Sequence, residues 1–395
     1  MKFEEFKSGK YVQQYQYKSF LPEKINHEWT WDDPRINVLL EKATRALGEL
    51  NAFTLIVPDV DLFVRMHVIK EANTSSRIEG TRTRMDEVLM DEAEVIPERR
   101  DDWGEVRNYI QAMNDAIGDL KRLPLSLRLL RNAHAVLMSG VRGEKKTPGE
   151  FRRTQNWIGG ASLSDAAYIP PHHEDMPELL SDMEAFWHNE EIQVPHLIRV
   201  AISHYQFETI HPFLDGNGRI GRLLITLYLV SHELLSKPSL YLSAHLEKQR
   251  GAYYDALTRV RESNDLGHWC RFFLQGVSET AENGKRTFQN ILKLRQDLES
   301  LIVTMGRRAE NGRRLILHLY EHPAVSIQQV MALLGIQFNP ARNLIATLEK
   351  MGILKEITGH KRNRIFLFEP YFNIFADTES EMQYGLFHFN GINVK

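Results

Sequence analysis

The 395-residue sequence contains a single cysteine, Cys270, and no apolar run close to the roughly 18 residues that a membrane-spanning helix needs. One cysteine can form neither an intramolecular disulfide nor a multi-cysteine metal or iron–sulfur site. A charge excess is also missing, because 49 Lys+Arg against 52 Asp+Glu give a net charge of −3. The composition therefore excludes membrane-spanning and disulfide-rich classes, and any affinity for nucleic acid must be local.

The first residues, MKFEEFKSGK, carry acidic side chains and no apolar stretch behind their lysines, so they do not resemble a secretory signal. We therefore expect a cytoplasmic protein without a membrane segment. The length predicts about two or three domains, because a single hydrophobic core seldom grows this large.

Three apolar patterns at helical spacing frame the centre of the chain. The first predicts a helix that ends near Gly80, and the others predict core helices over 195–210 and 219–235. Between the last two lies HPFLDGN, where Pro212 and two glycines interrupt the pattern. A tight loop between two core helices is therefore the place where we expect the chemistry.

The segment after this loop has the features of an anion site. The backbone N–H groups at the start of a helix have no intrahelical partner, and Gly216 and Gly218 let the backbone approach an oxygen-rich ligand. Arg219 and Arg222, three residues apart, can project from one side of that helix. This pattern suits a polyphosphate.

Two further side chains complete a reactive set. Asp215 is a hard oxygen ligand beside the predicted anion site, as Mg²⁺ bound to two phosphates requires. His211, four residues earlier, can accept a proton from an incoming hydroxyl group. The loop thus predicts a base, a metal ligand and a phosphate clamp within twelve residues.

At this point the sequence resembles the Fic family, whose signature is HxFx(D/E)GNGRxxR. The resemblance covers roughly residues 55 to 280 and includes PGEFRRTQNWIGG, AAYIPP and LEKQRGAYYDAL outside the loop. Every fixed position of the signature is matched, by His211, Phe213, Asp215, Gly216, Asn217, Gly218, Arg219 and Arg222.

The resemblance implies an enzyme that transfers AMP from ATP to a Ser, Thr or Tyr hydroxyl of a protein, itself included, with Mg²⁺ on Asp215 and His211 as catalytic residue. The Doc branch, which transfers phosphate, has Lys at the position of Gly218, so glycine favours AMP transfer. UMP or phosphocholine transfer stays open. The expected ATP-binding residues are Glu79, His211, Gly216, Asn217, Gly218, Arg219, Ile220, Gly221, Arg222, Tyr253 and Tyr254.

The predicted helix before Gly80 matches the family's inhibitory pattern (S/T)xxxE(G/N), with Ser75 first and Glu79 as the acid. In such proteins the glutamate pairs with the second signature arginine, here Arg222, and a carboxylate can compete with a phosphate for a guanidinium. We therefore expect low basal activity. Alternatively, the same glutamate positions a water molecule for the hydrolytic removal of AMP, as in some relatives.

Two further features follow from the likeness. A hairpin flap with Tyr168, Ile169 and Pro170 is expected to dock an extended target segment through main-chain hydrogen bonds. One ring of the pair Tyr253 and Tyr254 is expected to pack on adenine, although core positions are equally compatible with the pattern.

The charge composition changes over 306–365, which contains ten basic residues and four acidic ones. SIQQVMALLGI predicts a helix, Asn339 and Pro340 predict the start of a second one, and KEITGHKRNRIFLF predicts a basic wing. We interpret this region as a winged helix. Its candidate DNA contacts are Arg342, Asn343, Lys361, Arg362 and Arg364, with protein binding or dimerisation as the alternative.

The sequence thus predicts a mainly α protein, with a Fic helical core, a β-hairpin flap and a C-terminal winged-helix domain. A homodimer is expected from the resemblance, and a nucleotide-sensing DNA-binding regulator is the competing function. The predicted domains are an N-terminal helical region with the inhibitory helix (1–110), the catalytic core (111–280), a linker helix (281–305), the winged helix (306–372) and a tail (373–395).

Overall fold

The computed structural model of the chain describes residues 1–57, 59–140 and 146–376, so most of the tail predicted at 373–395 lies outside the described residues. Its contacts divide the chain into two units, residues 1–286 and 287–395. Both units are mainly helical, which confirms the predicted fold class. None of the helices in the described residues has the length and hydropathy needed to cross a bilayer.

The first unit begins with an antiparallel hairpin of β1 (Gly9–Gln13) and β2 (Lys18–Pro22), in which Tyr11 is opposite Phe20. The helices that follow are α1 (Pro34–Ile56), α2 (Val60–Ile78), α3 (Met85–Val88), α4 (Arg100–Asp119), α5 (Leu127–Leu137), α6 (Met176–His188), α7 (His196–Ile210), α8 (Asn217–Ser231), α9 (Ser243–Lys248) and α10 (Arg250–Ser263). The boundary between the units falls within the long helix α11 (Leu266–Val303).

Helices α7 and α8 form the centre of this unit. They pack on each other, and from Leu197 to Ile210 every residue of α7 is buried. The helix predicted over 195–210 is confirmed, whereas the helix predicted over 219–235 begins earlier, at Asn217, and ends at Ser231. Because both helices are anchored in the core, the loop between them has fixed ends.

Helix α2 packs against α4, α8 and α9, and almost all of its second half is buried. It ends at Ile78, with Glu79 as its C-cap and Gly80 at φ +107°, as the pattern near Gly80 predicts. The strongly charged region 86–105 contains two short 3-10 turns, Glu92–Glu94 and Pro97–Arg99, and the beginning of α4, whose Val106 and Tyr109 are fully buried.

The second unit contains α12 (Ala309–Glu321), β3 (Ala324–Ser326), α13 (Ile327–Leu334), α14 (Phe338–Lys350), β4 (Lys355–Glu356), β5 (Ile365–Leu367) and α15 (Glu369–Phe375). The strands form an antiparallel sheet in the order β3, β5, β4. Ser326 caps α13 through a capping box. The predicted start of the next helix at Asn339 is wrong, because Gln337 is its N-cap and Pro340 lies one turn inside.

Candidate active site

The loop between α7 and α8 is closed by its own side chains. His211 is the C-cap of α7 in the left-handed conformation, with φ +51°, which turns the chain sharply at the end of the helix. The Asn217 Oδ1 accepts a hydrogen bond from the Phe213 N–H and its Nδ2 donates to the Phe213 carbonyl, both at 2.8 Å. The Asn217 side chain, on the first residue of α8, therefore fixes the loop.

Gly216 is the N-cap of α8 and has φ +75°, a conformation that side chains with Cβ rarely adopt. A Cβ atom there would also lie 3.1 Å from the Met138 sulfur and 3.4 Å from the His134 ring. The backbone N–H groups in the first turn of α8 have no intrahelical acceptor and carry the positive end of the helix dipole. The geometry therefore supports the predicted anion site.

Three residues outside the motif, Arg152, Asn156 and His134, hold this loop by hydrogen bonds to its backbone carbonyl groups. Buried Arg152 donates to the His211 carbonyl (3.0 Å) and the Ile210 carbonyl (3.3 Å), and its backbone N–H donates to the Pro212 carbonyl. Asn156 donates to the carbonyls of His211 and Phe213. Both belong to PGEFRRTQNWIGG, but no periodicity or spacing in that segment assigned them this role.

His134 supports the loop from α5. Its Nδ1 accepts from the Gly149 N–H at 2.9 Å, so its Nε2 carries the hydrogen and donates to the Asp215 carbonyl at 3.0 Å. Its ring also stacks on Phe213, with centroids 3.8 Å apart. Burial lowers the pKa of His134 to about 4, so the ring stays neutral and keeps this tautomer at neutral pH.

The predicted base, His211, is partly exposed at the end of α7. Burial lowers the pKa of His211 to about 4, although the Glu208 carbonyl acts in the opposite direction. A ring that is neutral at physiological pH can accept a proton from a hydroxyl group.

Asp215 is exposed at the start of α8. One carboxylate oxygen accepts a hydrogen bond from the Gly216 N–H at 2.6 Å, which leaves the other oxygen for a ligand. No cluster of three or more His, Cys, Asp or Glu side chains suited to a metal occurs in the described ranges. A cation here would therefore take most of its ligands from water and phosphate, which is how Mg²⁺ is usually bound.

The two signature arginines have different partners. Arg219 is buried and its Nη1 lies 3.2 Å from Glu105 of α4, while the Tyr109 hydroxyl donates to its carbonyl at 2.8 Å. Arg222 is 3% exposed and donates to the Ser75 hydroxyl (2.8 Å), the Ser75 carbonyl (3.0 Å) and the Glu79 carboxylate (2.6 Å). The structure therefore brings the predicted inhibitory pair onto Arg222.

Glu79 lies over the start of α8. A Cβ atom on Gly218 would be 2.3 Å from its Oε1, so glycine is required there while Glu79 keeps this position. Burial by itself would raise the pKa of Glu79, but Arg222 and then Arg219 lower it overall. Glu79 is therefore ionised and paired with Arg222 at neutral pH.

Two contacts fasten α2 to α9. Buried Glu71 accepts hydrogen bonds from the hydroxyl and, at 3.3 Å, the N–H of Ser243, and burial raises its pKa to about 7. Arg77, two residues before Glu79, makes a bidentate pair with Glu247 at 2.6 and 3.0 Å. The inhibitory end of α2 is thus held on both sides of Ser75.

The structure separates the two adjacent tyrosines. Tyr253 is 1% exposed and its hydroxyl donates to the His204 Nε2 at 3.0 Å, so its ring belongs to the core. Tyr254 is 40% exposed and lies close enough to Glu79 and Arg222 for their charges to act on its hydroxyl. Of the two rings, that of Tyr254 is the accessible one, and the contact of one ring with adenine stays a prediction.

The ATP-binding set also contains Ile220, whose side chain is fully buried in the core, so only its backbone is available to a ligand. Gly221 has no side chain that could contact a ligand. Its carbonyl accepts a hydrogen bond from the His204 Nδ1 at 2.9 Å. Their place in the ATP-binding set therefore stays a prediction that concerns backbone atoms.

The predicted flap is a single antiparallel bridge between Ile158 and Tyr168 rather than a pair of strands. Tyr168 is buried, its hydroxyl donates to the Thr209 carbonyl, and the Arg261 guanidinium lies 4.0 Å from its ring centroid. The Ile169 carbonyl accepts from the Phe20 N–H of β2 at 2.9 Å. The chain's own hairpin thus contacts the edge that was expected to dock a target.

Pro170 completes the predicted flap and is buried. Its carbonyl accepts a hydrogen bond from the Gln155 side chain at 3.1 Å, and the Tyr17 hydroxyl donates to the same side chain at 3.3 Å. Of the three predicted docking residues, only Ile169 is partly exposed.

Comparisons with known proteins find matches to the segments of the chain that contain this site. Residues 38–118 match the family model described as Fic/DOC family N-terminal, and residues 124–229 match the Fic/DOC family model, which includes the whole loop. A protein adenylyltransferase Fic from Culex quinquefasciatus is 35% identical over 136 residues, and one from Drosophila virilis is 28% identical over 212. The matched segments cover 34% and 53% of this chain but only 24% and 39% of those relatives.

Solved structures share the fold at low sequence identity. A Fic family protein from Desulfovibrio desulfuricans G20 superimposes with a TM-score of 0.54 at 21% identity, over 85% of this chain and 96% of that one. A Fic domain containing signaling protein from Bacteroides thetaiotaomicron gives 0.51 at 16% identity, over 65% and 97%. Fic-1 from C. elegans gives 0.50 at 21% identity, over 66% and 75%.

Proposed function

We propose that this Fic-family protein is a protein adenylyltransferase, which transfers AMP from ATP to a protein hydroxyl group and is inhibited in its resting state by Glu79. The observation that carries the proposal is the Arg222–Glu79 pair, set on the first turns of a helix whose N-terminal amides are arranged for phosphates. A carboxylate placed on an arginine beside an anion site occupies the position of a phosphate.

The chemistry follows from the positions of the groups. His211 takes the proton of the target hydroxyl, whose oxygen attacks the α-phosphorus in line with the bond to the β-phosphate. The new oxygen–phosphorus bond attaches AMP to the target, and the broken bond releases pyrophosphate. Amides of Gly216, Asn217 and Gly218 stabilise charge on the α-phosphate, while Arg219 and Arg222 hold the β- and γ-phosphates.

Asp215 is the proposed ligand of Mg²⁺, because its second carboxylate oxygen is unused and phosphates would supply the remaining ligands. The cation would neutralise negative charge on the phosphates that leave as pyrophosphate. Tyr254 is the proposed adenine contact, and Tyr253 supports it from the core, their ring centroids being 5.0 Å apart.

The inhibition that we propose is competition for a single guanidinium. While Ser75 and Glu79 accept from Arg222, the γ-phosphate lacks its partner, so ATP binds in an unproductive position. This is the N-terminal inhibitory-helix arrangement, since α2 precedes the loop in the chain. Productive binding requires Glu79 to leave Arg222.

The target is a Ser, Thr or Tyr side chain of another protein or of this chain, presented to the loop beside Tyr168, Ile169 and Pro170. We also propose a cytoplasmic homodimer with the predicted domains 1–110, 111–280, 281–305, 306–372 and 373–395. The order helix, strand, helix, helix, strand, strand in the second unit supports a winged helix. Arg342, Asn343, Lys361 and Arg362 are exposed there, which supports DNA as a further partner.

The deciding experiment follows label from α-labelled ATP into protein, alone and with added lysate. It compares the wild type, Glu79→Gly, and Glu79→Gly combined with His211→Ala. Strong labelling only in Glu79→Gly, abolished by the second change, supports the transferase and its inhibitor together.

ATP binding without labelling in any form would overturn the transferase. Loss of AMP removal in Glu79→Gly, with purified labelled protein as substrate, would then favour the hydrolase. DNA retention that survives His211→Ala would favour the nucleotide-sensing regulator.

A further inference from the structure

Glu208 of α7 is a buried carboxylate that the proposed mechanism does not use. It is 8% exposed, and its carboxylate has no hydrogen-bond or ion-pair partner in the part of the chain that the structure describes. Buried carboxylates in proteins are nearly always paired, because desolvation without a partner costs several kcal/mol. An unpaired acid beside an anion site therefore calls for a ligand.

The position of Glu208 resembles that of Glu79. A Cβ atom on Gly221 would lie 2.3 Å from the Glu208 Oε1, just as one on Gly218 would lie 2.3 Å from the Glu79 Oε1. Positions 218 and 221 are three residues apart and share one face of α8. The carboxylates of Glu79 and Glu208 thus lie over neighbouring turns of α8, and the helix residue next to each carboxylate is a glycine.

The surroundings of Glu208 connect the phosphate end of the site to the aromatic end. Burial raises its pKa to about 7, while the nearby charge of Arg222 acts in the opposite direction. The charge of Glu208 in turn acts on the hydroxyl groups of both Tyr253 and Tyr254. Its carboxylate is therefore near both the proposed phosphate-binding arginine, Arg222, and the tyrosine pair that contains the exposed ring of Tyr254.

In a nucleoside triphosphate, the group between the phosphates and the base is the ribose. Its 2′- and 3′-hydroxyls are hydrogen-bond donors, whereas the phosphates offer only acceptors that a carboxylate would repel. Acidic side chains recognise ribose hydroxyls in other nucleotide sites for the same reason. We propose that the Glu208 carboxylate binds the nucleotide by accepting a hydrogen bond from a ribose hydroxyl, and so selects ribonucleotides.

This inference rests on the proposed function in one respect, namely that a nucleoside triphosphate occupies the start of α8. The test measures binding rather than turnover, in the Glu79→Gly, His211→Ala protein. Calorimetry gives the Kd for ATP, 2′-deoxy-ATP and 3′-deoxy-ATP. We expect at least one deoxy nucleotide to bind about tenfold more weakly than ATP, the effect of losing one hydrogen bond.

Glu208→Met removes the acceptor at similar side-chain length and should bring that ratio close to one. Glu208→Gln keeps one acceptor oxygen and should give an intermediate ratio. Gly221→Ala leaves Glu208 in place but displaces its carboxylate, so it should also reduce the ratio. The matched control is Glu71→Met, which changes a buried glutamate whose partner is Ser243 and should leave the ratio unchanged.

An unchanged ratio in Glu208→Met, with ATP still bound, would overturn the assignment. So would a ratio of one before mutation, combined with weaker binding of the triphosphate of purine riboside, because the acceptor would then serve the adenine amino group. No ATP binding at all would overturn both this inference and the proposed function. Ribose selectivity that depends on Glu208, without label transfer in Glu79→Gly, would overturn only the transferase.

Discussion

The two ends of the candidate site differ in what holds them. At the loop end, from His211 to Gly218, Arg152 and Asn156 donate hydrogen bonds to backbone carbonyl groups of the loop. At the arginine end, the side chains of Ser75 and Glu79, at the end of α2, accept hydrogen bonds from Arg222. The difference teaches that the loop is held independently of α2, so the inhibition that we propose would act on Arg222 without changing the loop.

The largest effect is expected from breaking the support of the loop end. Arg152→Ala leaves several buried carbonyls without their donor, at a cost of about 2–4 kcal/mol. In the Glu79→Gly background we expect Tm to fall by about 3–8 °C and AMP transfer to fall more than about 100-fold. Thermal melting and label transfer measure these effects. Arg153→Ala, at the exposed neighbouring position, should change neither, and equal effects of the two variants would contradict the support that we assign to Arg152.

The second prediction distinguishes the arginine end from the loop end by comparing the binding of ATP with that of AMP. In Glu79→Gly, Arg222→Ala removes charged hydrogen bonds to the γ-phosphate that are together worth about 1.5–3 kcal/mol, so the Kd for ATP should rise roughly 10- to 100-fold. AMP, which reaches only the loop end, should keep its affinity. Calorimetry with both nucleotides checks this, and a parallel loss for AMP would show that Arg222 does not serve the arginine end alone.

A smaller effect is expected at the Arg77–Glu247 pair, which holds the inhibitory end of α2. Arg77→Ala in the otherwise wild-type chain should raise basal labelling about fivefold, because a partly exposed bidentate pair contributes about 1 kcal/mol. The exchange of charges in Arg77→Glu with Glu247→Arg should restore inhibition.

Lys237 pairs with Asp61 at the other end of α2, so Lys237→Ala is the control that should leave labelling unchanged. Continued high labelling in the charge exchange would mean that the pair does not position Glu79.

The smallest effect is a change in the shape of a pH profile. Because burial lowers the pKa of His211 to about 4, its ring stays unprotonated well below pH 6.5. Removal of Glu79, whose negative charge raises that pKa, should extend the neutral range further. Initial transfer rates of Glu79→Gly should therefore stay level from pH 8 to about pH 6. A decline centred near pH 6.5 would show an ordinary histidine and contradict the burial argument.

The sequence predicted the arginine end and the loop because their residues are local. His211 to Arg222 form one contiguous motif, and Ser75 and Glu79 lie one helical turn apart. Arg152, Asn156 and Glu208 were missed, because only tertiary packing brings them to the loop and each is an ordinary polar residue in its own segment. Burial, rather than residue type, gives them their importance.

The choice between Tyr253 and Tyr254 was within reach of the sequence. On α10 the buried residues Tyr253, Ala256, Leu257 and Val260 follow helical spacing, which places Tyr254 outside the apolar face. The flap was harder to predict, because one bridge between Ile158 and Tyr168 does not leave the alternation typical of strands.

Glu79 holds Arg222 by contact and not by a covalent bond, so the inhibited state is a population in equilibrium with a free one. By mass action, a saturating nucleotide draws molecules out of the inhibited state even when no activator is present. Only a nucleotide that carries a γ-phosphate gains from displacing Glu79. In the proposed mechanism, the cellular ATP concentration would then set the fraction of molecules that is active. A regulator would change the ATP concentration at which activity appears, instead of turning the activity fully on or off.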